Sequence, residues 1–161
     1  MKKKTLFIIL FALAVTAFFS LWLFSDVSLT KEEKVAKSLE KDREHLELVA
    51  EYLLNEPGEY LSFLDDSGCF NGGYITSIEN AEVMASVKQL LNKRNYKKVI
   101  KDGDTVRFIR WTRLSDYEAG ICYTPEGAPK IEFLTTEKSL SVKGWYYYEA
   151  DYNKWRTDNH Y

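Results

Sequence analysis

An uncharged apolar run from Thr5 to Phe24 is the feature that most limits how this chain can fold. The run contains no charged residue and no proline, and as an α-helix it would extend about 30 Å, which matches the hydrocarbon core of a bilayer. Lysines at positions 2–4 precede it, and basic residues beside a span stay on the cytoplasmic side. The pattern predicts a cytoplasmic segment over 1–4, a transmembrane anchor over 5–24, and export of everything that follows.

The alternative interpretation of the N-terminal segment is a secretory signal that is cleaved, which would release a secreted protein. A basic start followed by apolar residues is common to both interpretations, and Val15-Thr16-Ala17 offers a small-residue cleavage motif. The apolar run continues beyond that motif to Phe24, which favours a retained anchor in the cell membrane. Both interpretations place the rest of the chain outside the cytoplasm.

The part predicted to be exported is acidic. Residues 26–161 carry 19 Lys and Arg against 24 Asp and Glu, a formal charge of −5. Domains that bind nucleic acid are as a rule basic, so this charge argues against a nucleic-acid partner. Its length suits a single compact domain, and we predict a charged membrane-proximal helix over 26–56 and a globular domain over 57–161.

The membrane-proximal helix has recognisable ends and one apolar stripe. Thr30 and Glu33 have the spacing of a capping box, and Pro57 would stop the helix. The stripe, interrupted by Asp42, consists of Val35, Leu39, Leu46, Val49 and Leu53. Either the stripe docks the helix on its own domain, or it pairs two copies through 35–53 as a short coiled coil.

The globular part begins with helical elements. An apolar patch over 60–64 is predicted as a helical turn, and 65–73 as a polar loop. A helix with a buried stripe is predicted from Ser77 or Asn80 to Arg94.

Beyond Asn95 the apolar pattern alternates with a period of two, which is typical of strands. Asp102-Gly103 is a hairpin signal, and the short links between strands imply antiparallel neighbours. The predicted strands cover 96–101, 105–113, 117–124, 130–135 and 145–150. The predicted class is therefore α+β, with a helix packed on a four- to five-stranded antiparallel meander sheet.

Two cysteines, Cys69 and Cys122, are present. In an exported domain an even pair predicts a disulfide, here between the loop before the second helix and the third strand. The chain shows neither the spacing of a metal site nor the glycine-rich loop of a nucleotide site, so no metal and no cofactor is predicted.

Basic residues cluster between positions 93 and 113. With Trp111 among them, they could form an anion-binding face, and the candidates are Lys97, Lys98, Arg107, Arg110 and Arg113. The alternative is the solvated face of two strands, where charges protect a sheet edge.

Aromatic residues are dense between Gly144 and Trp155. In a strand Trp145 and Tyr147 would share one face, and Tyr146 and Tyr148 the other. One interpretation is an aromatic docking face for a sugar or peptide, formed by Trp111, Trp145, Tyr147, Tyr152 and Trp155. The other is that these rings are covered and belong to the core.

The function that these patterns favour is a membrane-tethered, exported binding or accessory domain without catalytic activity. Its ligand would be a protein partner or an envelope polymer. The serine-hydrolase motif Gly-x-Ser-x-Gly is absent, and the chain has two histidines. Two alternatives stay open: an envelope hydrolase or transferase that uses scattered carboxylates, and a structural protein that dimerises in the membrane.

Overall fold

The computed structural model describes residue 15 and residues 29–63, 69–71, 74–76, 78–114 and 116–159, with the backbone alone at 69–71 and 74–76. The predicted anchor over 5–24 therefore lies almost entirely outside the described residues. Among the described residues, no helix combines the length and the apolar character that a membrane crossing requires. The chain divides into two compact units, Met1–Lys34 and Val35–Tyr161, and the sheet belongs to the second.

The helix α1 spans Lys31–Asn55 and begins at the predicted capping box. The Thr30 N–H donates to Glu33 Oε2 at 2.7 Å, and the Glu33 N–H donates to Thr30 Oγ1 at 3.2 Å. Each side chain thus satisfies a backbone donor that the first turn leaves free. The helix ends before Pro57, as predicted.

The apolar stripe of α1 packs on the domain's own sheet. All five members predicted from the sequence, from Val35 to Leu53, are at most 1% exposed and belong to one core cluster with strand residues. The docking interpretation is confirmed. The coiled-coil alternative through 35–53 needs this stripe to lie on the surface. The structure instead buries the stripe, because a sheet face is a wider apolar surface than the narrow stripe of a second helix.

The sheet has eight strands among the described residues, and every neighbouring pair is antiparallel. The strands are β1 Tyr60–Phe63, β2 Cys69–Asn71, β3 Tyr74–Thr76, β4 Lys98–Asp102, β5 Thr105–Arg113, β6 Tyr117–Tyr123, β7 Leu134–Ser139 and β8 Trp145–Asp151. Their spatial order is β3-β2-β1-β4-β5-β6-β8-β7. The other described helices are α2 Ala81–Lys88, continued by a π-helical turn over Gln89–Lys93, and α3 Tyr152–Asp158.

The α+β class and the antiparallel pairing are confirmed, whereas the strand number and the simple meander were wrong. The first strand, β1, lies where a helical turn was predicted, because an apolar run this short has no periodicity to separate helix from strand. It is held by β4, far along the chain. The last two strands depart from a meander, since β8 pairs with β6 and leaves β7 at the sheet edge.

The sheet has two unequal apolar faces. The inner face packs against α1 and α2, and the outer face carries a smaller cluster. As predicted from the alternation, Trp145 and Tyr147 lie in the inner cluster while Tyr146 and Tyr148 lie with the outer one. Because the outer cluster is small, part of that face stays open.

Candidate functional site

The five cations predicted as an anion-binding face do not share one surface. Arg107 lies among outer-face residues, and Lys97 is exposed near the start of β4. Arg110 instead reaches Ser38 of α1 on the inner side, with its guanidinium 5.1 Å from the ring centre of Tyr96. The cause is geometric, because strand alternation sends neighbouring side chains to opposite faces.

Most of these cations are already engaged within the chain. Lys98 Nζ donates to the Tyr60 hydroxyl at 3.5 Å. Arg113 lies 3.7 Å from the carboxylates of both Asp116 and Asp151. Because the five cations are dispersed, they do not form the predicted anion-binding face as one surface. Most of them are also paired, which weakens the attraction that they can exert on an anion.

The predicted aromatic docking face is also divided. Trp145 and Tyr147 are buried in the inner core, and Trp111 packs against that core. A β-bulge between Ile109 and Trp111 gives β5 one extra residue, which brings Arg110 and Trp111 to the inner side together. The covered-core interpretation holds for these three aromatic rings.

Tyr152 and Trp155 lie elsewhere, on the short helix α3. Both pack edge-to-face on Phe133, with ring centres 4.9 Å and 5.3 Å apart. Phe133 precedes β7 and was not singled out from the sequence, because it falls within a stretch predicted as an ordinary strand. Phe133 and Tyr152 of this second aromatic group border an open cavity.

That cavity, the outer groove, has a volume of about 370 Å³ and opens on the outer face of the sheet. We define it by six of its lining residues, which are Arg107, Leu114, Glu118, Glu132, Phe133 and Tyr152. Ile109 and Ala150, both buried, form its apolar floor. The groove thus combines an apolar base with polar walls, as binding sites commonly do.

A partly buried ionic network lies in one wall of the groove. Arg107 pairs with Glu118 across β5 and β6, and its other nitrogen lies 3.3 Å from Asp102. The fully buried Tyr148 donates its hydroxyl to the same Glu118 oxygen at 3.1 Å. Burial, followed by the charge of Glu118, raises the pKa of Tyr148, so the phenol keeps its proton as a donor.

The charge of Arg107 is paired inside this network, while its buried Nε donates to no group of the described residues. Burial by itself lowers the pKa of Arg107, but the carboxylates of Glu118 and Asp102 more than offset that effect and the pKa is raised. Paired with two carboxylates, this guanidinium fixes the wall in place.

The rim of the groove is apolar and conformationally strained. Leu114 is 93% exposed and has φ of 51°, and Phe133 has φ of 56°. Asn95 is the other non-glycine residue with positive φ among those described. Leucine and phenylalanine rarely adopt this conformation, and such strain recurs at ligand-binding positions. In the sequence, the one available signal was an apolar residue inside a polar turn, Leu114 before Ser115 and Asp116.

A larger groove of about 590 Å³ runs between α1 and the turn before β8. Its charges balance, since Arg43 pairs with Glu47 at 2.7 Å and Lys143 accompanies Glu51. Its aromatic wall is Trp145, which is only 2% exposed and therefore offers little surface to a ligand. We favour the outer groove as the candidate site because Leu114 and Tyr152 at its rim are exposed.

The predicted disulfide between Cys69 and Cys122 is not formed. Cys122 is a buried free thiol in β6. Cys69 begins β2, four strands away in the sheet, which corresponds to about 19 Å at the usual strand spacing. The Cα atoms of a disulfide lie less than about 7 Å apart, so this pairing requires a different sheet.

The free energy of unfolding is expected to fall at alkaline pH. Burial raises the pKa of Cys122, Tyr96 and Tyr148, so the folded protein keeps protons that the unfolded chain releases from about pH 8.5 for thiols and about pH 10 for phenols. Stability is therefore lost as pH rises above those values, by up to about 1.4 kcal/mol per pH unit for each group. Urea unfolding between pH 7 and 10.5 measures it.

The variant Cys122→Ala isolates the contribution of the thiol. Its free energy of unfolding is expected to fall less steeply than that of the wild type between about pH 8.5 and 10. Equal slopes in the two proteins would contradict the assignment of a buried, protonated thiol.

Metal chemistry has no ready site in the described part of the chain, where no three His, Cys, Asp or Glu side chains are placed to hold an ion. His45 instead lies with Nδ1 3.1 Å from the hydroxyl of Ser86, between α1 and α2. Comparisons with protein-family models, with curated proteins and with solved structures give no match to this chain.

Proposed function

We propose that this chain is a membrane-tethered, exported binding domain without catalytic activity, and that the outer groove docks a protein partner. The tether is the apolar run over 5–24, and the lysines before it orient the domain away from the cytoplasm. The observation that carries the docking function is Leu114, an almost fully exposed apolar side chain held in a strained conformation at the groove rim.

The difference between the two sheet faces supports this proposal. The inner face is covered by α1 and α2, so it supplies stability. The outer face exposes Leu114 and Tyr152, which is 40% exposed, beside a cavity with an apolar floor. Exposed apolar and aromatic groups next to a pocket are typical of a protein contact.

Site-specific photo-crosslinking tests the docking function. The full-length chain, in membranes of the producing cells, would carry p-benzoylphenylalanine at Leu114 or, as a matched control, at Lys93. Lys93 is also exposed but follows α2 on the inner side of the sheet. A discrete adduct is expected from position 114 and not from position 93, and digestion by protease would identify it as protein.

Two results would contradict the proposal. Equal labelling at both positions would mean random collision, and no adduct at 114 would mean that the groove rim is not occupied in cells. An adduct that resists protease and is removed by cell-wall hydrolases would reassign the site to an envelope polymer. The interpretation as a carboxylate-dependent hydrolase or transferase stays a prediction.

A further inference from the structure

The outer groove has a net negative charge. Its lining contains the cations Lys98 and Arg107 and four carboxylates, namely Asp102, Asp116, Glu118 and Glu132, so its formal charge is −2. Arg113 and Asp151 lie behind Asp116 and cancel each other. The groove therefore has the opposite sign to the anion-binding face predicted from the sequence.

The two cations of the groove are engaged, whereas part of its negative charge is not. Arg107 is bound to Glu118 and Asp102, and Lys98 to the hydroxyl of Tyr60. Glu132 is exposed and has no ion-pair partner within the part of the chain that the structure describes. Among the residues that line the groove, a ligand therefore meets an available carboxylate rather than an available cation.

The aromatic rim is arranged in a way that suits cations. The guanidinium of Arg113 lies 5.6 Å from the ring centre of Tyr117, and that of Arg156 lies 6.0 Å from the ring centre of Tyr152. Both tyrosines line the groove, and their ring faces attract positive charge. Arg113 is 62% exposed over its side chain, so an incoming cation can compete with it for the same ring.

We propose that the protein partner docks through a basic segment, whose Lys or Arg side chain enters the outer groove beside Glu132 while its apolar neighbours contact Leu114. This inference rests on the proposed docking function and adds the charge class of the partner. Charge complementarity carries it, because a groove with a formal charge of −2 attracts a cation and repels an acidic segment.

The test is a titration of the full-length chain in detergent micelles, followed through the leucine methyl NMR signals. The probe is the peptide acetyl-Ala-Arg-Ala-Leu-Arg-Ala-amide, and its control has Glu in place of both Arg residues. The basic peptide is expected to shift the methyl signals of Leu114, with weaker binding at higher salt, and the acidic peptide is expected to leave them unchanged.

Three variants separate a cation site from an anion site. Glu132→Lys is expected to weaken binding of the basic peptide about tenfold, since it reverses an available charge in the groove. Arg113→Gln is expected to strengthen it by about threefold, because it removes a competing cation. Glu126→Lys makes the same charge change at an exposed position outside the groove and is expected to alter binding by less than about twofold.

The outcomes distinguish this inference from the docking function on which it rests. Binding of the acidic peptide, or weaker binding of the basic one after Arg113→Gln, would overturn the cation site and restore an anion site. No binding of the basic peptide at millimolar concentration, together with a protein adduct at position 114 in cells, would overturn the basic segment and leave the docking function. Peptide binding without that adduct would support the charge class and contradict docking in cells.

Discussion

Replacing Gly120 with alanine is expected to lower the free energy of unfolding by about 3 kcal/mol or more, although the change adds only one methyl group. Gly120 lies in the middle of β6, opposite Ile109 of β5. A Cβ atom there would lie 2.1 Å from the carbonyl oxygen of Phe108 and 3.1 Å from the Cα of Ile109. Both neighbours are backbone atoms of a buried strand, so no side chain can rotate away to make room.

The matched control for this variant is Gly127→Ala. Gly127 has φ of 71°, but a Cβ atom there meets nothing within 4 Å. Its cost is the strain of the left-handed conformation, about 1–2 kcal/mol, without a clash. Urea unfolding followed by tryptophan fluorescence compares the two variants. A free energy of unfolding for Gly120→Ala that equals or exceeds that of Gly127→Ala would contradict the close approach of β5 and β6.

Removing the guanidinium of Arg94 is expected to cost about 3 kcal/mol, because it leaves a buried carboxylate without its counter-ion. Asp42 lies on the buried side of α1 and is 3% exposed. Its Oδ1 lies 2.9 Å from Arg94 Nε, as an ion pair without the alignment of a hydrogen bond. Its Oδ2 accepts from the Tyr96 hydroxyl at 3.5 Å, which is a weak bond. Arg94→Met keeps much of the side chain's apolar volume and removes the guanidinium with its charge.

A double-mutant cycle with Asp42→Asn checks the reason. The amide has the shape of the carboxylate and no charge, so adding it to Arg94→Met is expected to recover about half of the lost stability. Chemical unfolding of the four proteins gives the coupling free energy between the two positions. Additive costs would mean that Arg94 acts through packing of its aliphatic stem and not through Asp42.

This pair also explains why a charged residue interrupts the apolar stripe of α1. The sequence shows Asp42 as a break in the pattern, without its partner. The partner, Arg94, comes from the end of the π-helical turn after α2, more than fifty residues later. Buried pairs of this kind select one register between packed elements, and here the pair would fix how α1 lies against α2 and the sheet.

Features that depend on neighbours within a few residues were determined by the sequence alone. The capping box of Thr30 and Glu33 acts within one turn of helix, and the hairpin at Asp102-Gly103 acts within four residues. The stripe of α1 and the alternation in β8 are also local, because the periods of helix and strand are properties of the backbone. From these patterns the α+β class and the antiparallel pairing followed.

Features that depend on distant partners were decided only by the tertiary structure. β1 became a strand because β4 pairs with it, and β7 lies at the edge because β8 pairs with β6. The same pairing leaves three strands between Cys69 and Cys122. It also brings Leu114, Glu132 and Tyr152 together around the outer groove. The amino-acid sequence shows which residues are apolar or charged. The charge of a groove depends on which strands are neighbours, and the order of strands is a property of the whole sheet.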